Sequence, residues 1–361
     1  MEYTQLPDCP EWFGAALTVD IKTLLANPEA VRPKLLNLLN ERGVLVFRNQ
    51  SISPSEEVAF YKLIGLYDEN CTHLVDSTAA MFQIPEAPEA VVIGNADLDN
   101  HHGVSGTISQ KGGNYHWHYD SDSFRTLPAT TSQMYCAEAP DHKLHAEETL
   151  EMSNGKQMKF PAGATAFVST TQSYELLDSD TCIYIDHCVV HYQPRYTLRE
   201  MPLNQGVGGD GVRPKVYFPP WNTDLADDAA AMAEDDDAAA ADSSYLGDTK
   251  KYAVHSDEEL VSPHHPQYAV SHPLVWTHPA TGKNAVMVHA VCMDHIEHPV
   301  DGHLSWERSM ELVEKVVVPG AQPEFCYFHA WQPGDLVSAL FIMFCVLTSI
   351  FSTRFGVQQR A

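Results

Sequence analysis

Short apolar runs broken by turn residues recur through most of the chain, and they restrict the fold more than any other feature. Residues 132–137, 164–169, 270–277 and 285–291 each have the length of a short strand between turn signals. Val91, Val92 and Ile93 mark a further strand over 89–95. The front of the chain differs. Ile21, Leu24, Leu25, Val31, Leu35, Leu36 and Leu39 recur at three- and four-residue spacing, which predicts a helix over 20–42 that Gly43 ends. Val44-Leu45-Val46-Phe47 then reads as a buried strand. Ser53-Pro54-Ser55-Glu56 starts a second helix running to Gly65, with Ser as N-cap, Pro at the first position and Glu at the third. A third helix is predicted between Thr170 and Leu177. Many short strands with helices mostly at the front give a mainly β fold with helices (α+β), an antiparallel barrel or a double-sheet jelly roll.

With 361 residues, 44% of them hydrophobic, the chain can bury the core of one large domain or two modest ones. Its formal charge of −26 argues against a nucleic-acid partner, because phosphate binding needs clustered Lys and Arg. An anionic small molecule stays open, since that needs only a local basic pocket. The eight cysteines form no CxxC pair and suit a reducing compartment. The first fourteen residues are polar and acidic, unlike a signal peptide, so the expected location is cytoplasmic. Residues 224–259 carry twelve Asp and Glu against two Lys around an alanine-rich centre. Such a segment cannot offset its ordering entropy by burial and is read as a solvated insertion.

Metal-ligand chemistry concentrates at Tyr115-His116-Trp117-His118-Tyr119-Asp120. In an extended strand alternate side chains share a face, so His116, His118 and Asp120 line one side and the three aromatic residues the other. An imidazole and a carboxylate two residues apart can reach one metal ion together. They would need one more protein ligand to make a 2-His-1-carboxylate iron site.

From Trp117-His118-Tyr119-Asp120 to Phe124, with Pro128 and the run after it, the chain resembles the metal-binding segment of the taurine dioxygenase (TauD/TfdA-like) family. Four more blocks resemble that family in order: Gly43 to Arg48 with Ser53-Pro54 and Glu56; Gly163 to Phe167 with Tyr174 to Leu177; His272-Pro273-Leu274-Val275 with His278-Pro279 and Thr281-Gly282-Lys283; and Pro323-Glu324-Phe325, Trp331 and Pro333 to Val337. The resemblance implies a double-stranded β-helix of the clavaminate-synthase-like kind. It implies an oxidoreductase using Fe(II), 2-oxoglutarate and O2 on a small, often anionic organic substrate. By the same resemblance His118 and Asp120 would bind iron, Thr165 would help hold the 2-oxoglutarate carboxylate, and Asn95 would lie near the substrate.

Agreement stops at Val337. The family next has a second iron histidine, and an arginine about a dozen residues beyond it for the distal carboxylate of 2-oxoglutarate. No histidine follows His329 here, and no arginine stands in a matching motif, so both the second iron histidine and the 2-oxoglutarate arginine are read as absent. His116 would crowd one side of the metal, and His187, His191, His289, His295 and His298 are available without any matching motif; His329, in the last matching block, reads as structural. The expected organisation is therefore a dioxygenase domain over 1–337 carrying the 224–259 insertion, and an apolar tail of non-family sequence over 338–361. The jelly roll would lack its last strands, and activity would be impaired. Three origins of the tail stand open: replaced sequence, a membrane anchor, or part of an altered core. Residues 336–353 are eighteen uncharged residues, about 27 Å as a helix, just under a bilayer's roughly 30 Å apolar core. The alternative to an enzyme is thus a catalytically inactive, tail-anchored jelly-roll protein.

Overall fold

The computed structural model describes residues 1–7, 9–65, 83–94, 96–108, 114–118, 131–139, 147–151, 157–161, 163–192, 270–289, 293–340, 344–348 and 354–359. The acidic stretch 224–259 lies outside them.

Proline and glycine punctuate the N-terminal region. β1 (Ala15–Leu17) leads into α1 (Ile21–Leu25), whose N-cap Asp20 accepts the Lys22 N–H. α2 (Pro28–Arg42) follows after a break, so the helix predicted over 20–42 is two helices. Pro28 has no N–H to extend the α1 ladder, and it keeps Asn27 outside helical dihedrals, at φ −140°. Gly43 closes α2 at φ +73°, a conformation costly for any residue with a Cβ. β2 (Val44–Phe47) is buried at every position, as its apolar run predicts. α3 (Pro54–Ile64) opens with the expected capping box: Glu56 N–H donates to Ser53 Oγ, and Ser53 N–H to the Glu56 carboxylate.

β3 (Gln83–Ile84), β4 (Ala87–Gly94), the hairpin of β5 (Ala96–His101) and β6 (Val104–Ile108), β7 (Asn114–His118) and β8 (Thr131–Tyr135) come next. A second hairpin, β9 (Glu147–Glu151) and β10 (Gln157–Pro161), precedes β11 (Thr165–Ser169), α4 (Thr170–Glu175) and α5 (Ser179–Ile185). The run predicted at 270–277 is two strands. β13 (Val270–Pro273) pairs with β12 (Val189–Tyr192), whereas β14 (Val275–Thr277) pairs with β15 (Asn284–Val286). Leu274 separates them: its N–H donates to the Cys188 carbonyl and its own carbonyl accepts from Met287. The chain continues through β16 (Met293–His298), β17 (Gly302–His303), α6 (Trp306–Val317) and β18 (Tyr327–His329), and then β19 (Leu336–Leu340), β20 (Phe344–Thr348) and β21 (Arg354–Gln359).

Two sheets form the jelly roll. One runs β1-β2-β19-β8-β21-β4-β3 and the other β18-β11-β20-β7. Successive strands cross between them, β4 to β7 to β8 to β11, and again from β18 through β19, β20 and β21. The interior is filled by Phe47, Phe60, Phe167, Tyr327, Trp331 and Leu336, and α2 and α3 contribute Leu39 and Ile64. A third sheet, β13-β12-β16-β17, packs with α6 over a separate cluster containing Val190, Ile296, Trp306 and Val316.

The C-terminal segment overturns the expectation of missing strands. β20 lies between β11 and β7, and β21 between β8 and β4, so each occupies an interior position in its sheet. The stretch that invited a membrane reading is not one helix, because 336–340 and 344–348 are strands of different sheets. Among the described residues, no helix is long and apolar enough to cross a membrane.

Candidate active site

Backbone register defines an interior face of the β18-β11-β20-β7 sheet. His118 pairs with Val346, which pairs with Phe167, and Phe167 pairs with Tyr327. Two residues along, Thr348 pairs with Thr165, which pairs with His329. Directly paired residues project to the same side, and so do residues two apart. Positions 118, 165, 167, 327 and 329 therefore share one face, the one turned toward the other sheet, where Phe167 and Tyr327 lie in the core. Trp117, one residue off this period, packs on the outer clusters with Val288, Met287 and their neighbours. Of the residues in the His/Asp strand, Trp117 is the one whose side chain is described, and it faces these outer clusters. Asp120 and Asn95 lie outside the described residues, as does the side chain of His118.

Thr165 is buried at the start of β11, where its Oγ1 accepts a hydrogen bond from Trp331 Nε1 at 2.9 Å. A hydroxyl can accept two bonds and donate one. With the indole N–H held at a lone pair, the Thr165 proton remains for an acceptor such as a carboxylate. Trp331 is itself fixed by the edge of His329, ring centroids 4.3 Å apart.

Beneath Thr165 runs a buried polar network, of which only His329 drew notice in the sequence. His329 Nδ1 meets the Tyr327 hydroxyl at 2.7 Å, and His329 Nε2 lies 3.3 Å from Asp335 Oδ2. Asp335 also pairs with Arg48 and accepts the Gln332 N–H. Burial pushes the Tyr327 phenol well above its ordinary range, so it stays protonated as a donor. These contacts give His329 the structural role expected of it, and they explain why a Gly-Asp pair follows Trp331. Gly334 sits at φ +85°, and a Cβ there would come 2.8 Å from the Gln50 carbonyl oxygen. His278 is structural as well. Its Nδ1 accepts the N–H groups of Ala280 and Thr281, closing the His-Pro-x-Thr-Gly turn, and burial lowers its pKa.

The second iron histidine has no counterpart on β20, which reads Phe-Cys-Val-Leu-Thr. A cation does follow. β21 opens with Arg354, paired with Gly94 of β4, ten residues beyond Phe344. Were residues 336–353 an anchor, Arg354 would lie just beyond it; as the first residue of β21 it stands instead beside β4.

Comparison with known proteins bears on the whole arrangement. Residues 2–339 match the taurine catabolism dioxygenase TauD, TfdA family, and the match ends within β19. The alpha-ketoglutarate-dependent xanthine dioxygenase xanA of Emericella nidulans is 23% identical over 365 residues, covering 90% of this chain and 85% of that one. The alpha-ketoglutarate-dependent xanthine dioxygenase xan1 of Schizosaccharomyces pombe is 25% identical over 236 residues, covering 62% and 46%. Among solved structures, AAD-2 in complex with Mn(II) and N-oxalylglycine aligns with a TM-score of 0.59 at 17% identity, over 99% of this chain and 97% of that one. A taurine dioxygenase from Burkholderia xenovorans aligns at 0.55 and 18%, over 96% and 83%. These likenesses carry the same fold through β20 and β21, beyond the point where the family's residue pattern stops. They lend no support to an impaired enzyme or to a tail-anchored, inactive protein. A match from the second residue to β19, on a two-sheet jelly roll, makes this chain a member of the TauD/TfdA family, dioxygenases that use Fe(II), 2-oxoglutarate and O2.

Proposed function

We propose that this chain oxidises a small heteroaromatic molecule of the xanthine kind, using Fe(II), 2-oxoglutarate and O2. The observation that carries this reading is the shared interior face of positions 118 and 165 on strands flanking β20. His118 and Asp120 supply the imidazole and carboxylate that suit Fe(II). Bound iron and 2-oxoglutarate supply the oxidising chemistry: O2 is reduced as 2-oxoglutarate becomes succinate and CO2, and one oxygen atom enters the substrate.

The protein's part is positioning and exclusion of water. Thr165 would donate its hydroxyl proton to a carboxylate of 2-oxoglutarate, its rotor held by Trp331. Arg354, opening β21 beside β4, provides the countercharge for the distal carboxylate; a guanidinium suits this because it binds a carboxylate with two parallel N–H bonds. The Phe167, Tyr327 and Trp331 side chains keep the interior apolar and dry. Asn95, one residue beyond β4, is the proposed substrate contact. The family-like sequence runs over 1–337, β20 and β21 belong to the same domain, and the acidic 224–259 stretch is an insertion. The similarity to two fungal enzymes named for xanthine favours that substrate class over sulfonates.

The test incubates the purified chain with Fe(II), ascorbate, 2-oxoglutarate and xanthine, and measures succinate and oxidised purine together. Equal amounts of both, lost in His118→Ala and Asp120→Ala, are expected. Succinate formation independent of iron and of both residues would reject the assignment.

A further inference from the structure

The third sheet carries a cluster that the jelly-roll site does not use. Val190, Tyr192 and Ile296 face inward to the core under α6, so the alternate positions face outward. On that outer face His191 of β12 pairs directly with His295 of β16, and Glu297 follows His295 two residues on. The His191 and His295 rings stack at 4.3 Å, 9° from parallel, and His303 of β17 stacks on His295 at 3.8 Å. His191 Nε2 lies 3.1 Å from Glu297 Oε2. One ligand atom from each of His191, His295 and Glu297 lies within 4.8 Å of the other two.

Each imidazole is oriented through its other nitrogen. Ser271 Oγ meets His191 Nδ1 at 2.8 Å, and Asp294 Oδ2 meets His295 Nδ1 at 2.8 Å. Hydroxyl and carboxylate partners of this sort fix the tautomer and ring angle of metal-binding histidines and leave Nε2 to coordinate. Two carboxylates, Asp294 and Glu297, bias the patch toward a cation.

We propose that His191, His295 and Glu297 form a binding site for a divalent transition-metal ion, such as zinc, on this sheet. The donor set of two imidazoles and one carboxylate leaves a fourth position for water. Ligand atoms about 2.1 Å from a tetrahedral ion lie about 3.4 Å apart, so the wider separations in the trio close by up to about 1.4 Å as the two rings tilt toward the ion. All three side chains are at least partly solvent-accessible, His191 at 29%, His295 at 16% and Glu297 at 52%, so the ion has an entry path. Once bound, it would clamp β12 to β16 above the core on which Trp117 of β7 rests. This inference does not rest on the oxygenase reading.

Titration of the full chain with Zn2+, followed by isothermal calorimetry, tests it. His191→Asn and His295→Asn should each lose one equivalent of zinc relative to wild type, or weaken it at least tenfold, with metal-free thermal unfolding unchanged. Glu297→Gln preserves the acceptor to His191 but removes the charge, and should weaken the same equivalent; it decides the matter should a histidine variant fail to fold. His118→Ala, altered on the other sheet, should retain this equivalent. Zinc uptake that is identical in stoichiometry and affinity in wild type and in the folded variants among these three would overturn the proposal.

Discussion

Ending the chain after Leu340 removes β20 and β21 while keeping every residue of the family match. β20 is registered against β11 over five residues, and it also pairs with β7. β21 pairs with β4 and with β8. A ladder hydrogen bond contributes about 1 kcal/mol net, so the β11–β20 ladder alone amounts to about 5 kcal/mol. The three other ladders bring the loss into the ~5–15 kcal/mol that constitutes the whole stability of a typical domain. Because both strands are interior, the truncation also separates β7 from β11 and β4 from β8 and leaves four newly unpaired strand edges. Urea denaturation followed by tryptophan fluorescence and far-UV circular dichroism is the assay. Wild type should unfold cooperatively, and the 1–340 chain should show no cooperative transition and should aggregate at micromolar concentration. A truncated chain that unfolds cooperatively with the wild-type midpoint would refute the placement of these strands and restore the picture of a dispensable tail.

Three further outcomes follow from individual side chains. Gly334→Ala forces a Cβ to within 2.8 Å of the Gln50 carbonyl at a φ of +85°, so a loss of about 1–3 kcal/mol is expected in chemical denaturation. Thr165→Val removes the acceptor of the fully buried Trp331 N–H and should cost about 1–3 kcal/mol, together with a raised KM for 2-oxoglutarate, whereas Thr165→Ser should restore both. Glu57 is buried with its Oε1 unbonded among the described residues, and desolvation raises its pKa well above the usual carboxylate range. The unfolded chain then releases this proton more readily than the folded one, so the group's contribution is full below pH 4.5 and declines as pH rises toward the folded pKa. Glu57→Gln should therefore flatten stability against pH on the alkaline side of 4.5; an unchanged slope in thermal melts would contradict this.

What could be read from the chain divides by the range of the interaction involved. The α3 capping box, the β2 strand and the turn at Gly43 are set within four residues, and each was legible. The break at Pro28 was legible in principle, but the apolar spacing of Leu24, Leu25 and Val31 ran straight across it. Pro273 and Leu274 hid a change of sheet inside one apolar run, because periodicity reports burial and not partner. The C-terminal stretch is the sharpest case. Interior strands are apolar on both faces, and uncharged residues from Leu336 onward present the same hydropathy to a bilayer helix and to two inner strands. Only pairing with β7, β11, β4 and β8 separates the two. The Arg48–Asp335–His329 network joins residues up to 287 positions apart, and no local pattern announces it. His118 and Asp120 were found through strand period and family resemblance, and the metal-like trio His191, His295 and Glu297 needed a cross-strand register that sequence does not carry.

The most direct test of the account is the KM for 2-oxoglutarate of Arg354→Gln, measured by succinate release beside wild type. If the last strands complete the cosubstrate site, losing one charge-assisted carboxylate pair worth about 1.5–3 kcal/mol raises that KM roughly 10- to 150-fold, with cooperative unfolding and iron binding unchanged. A wild-type KM in the folded variant would contradict the assignment of residues 354–359 to the working site.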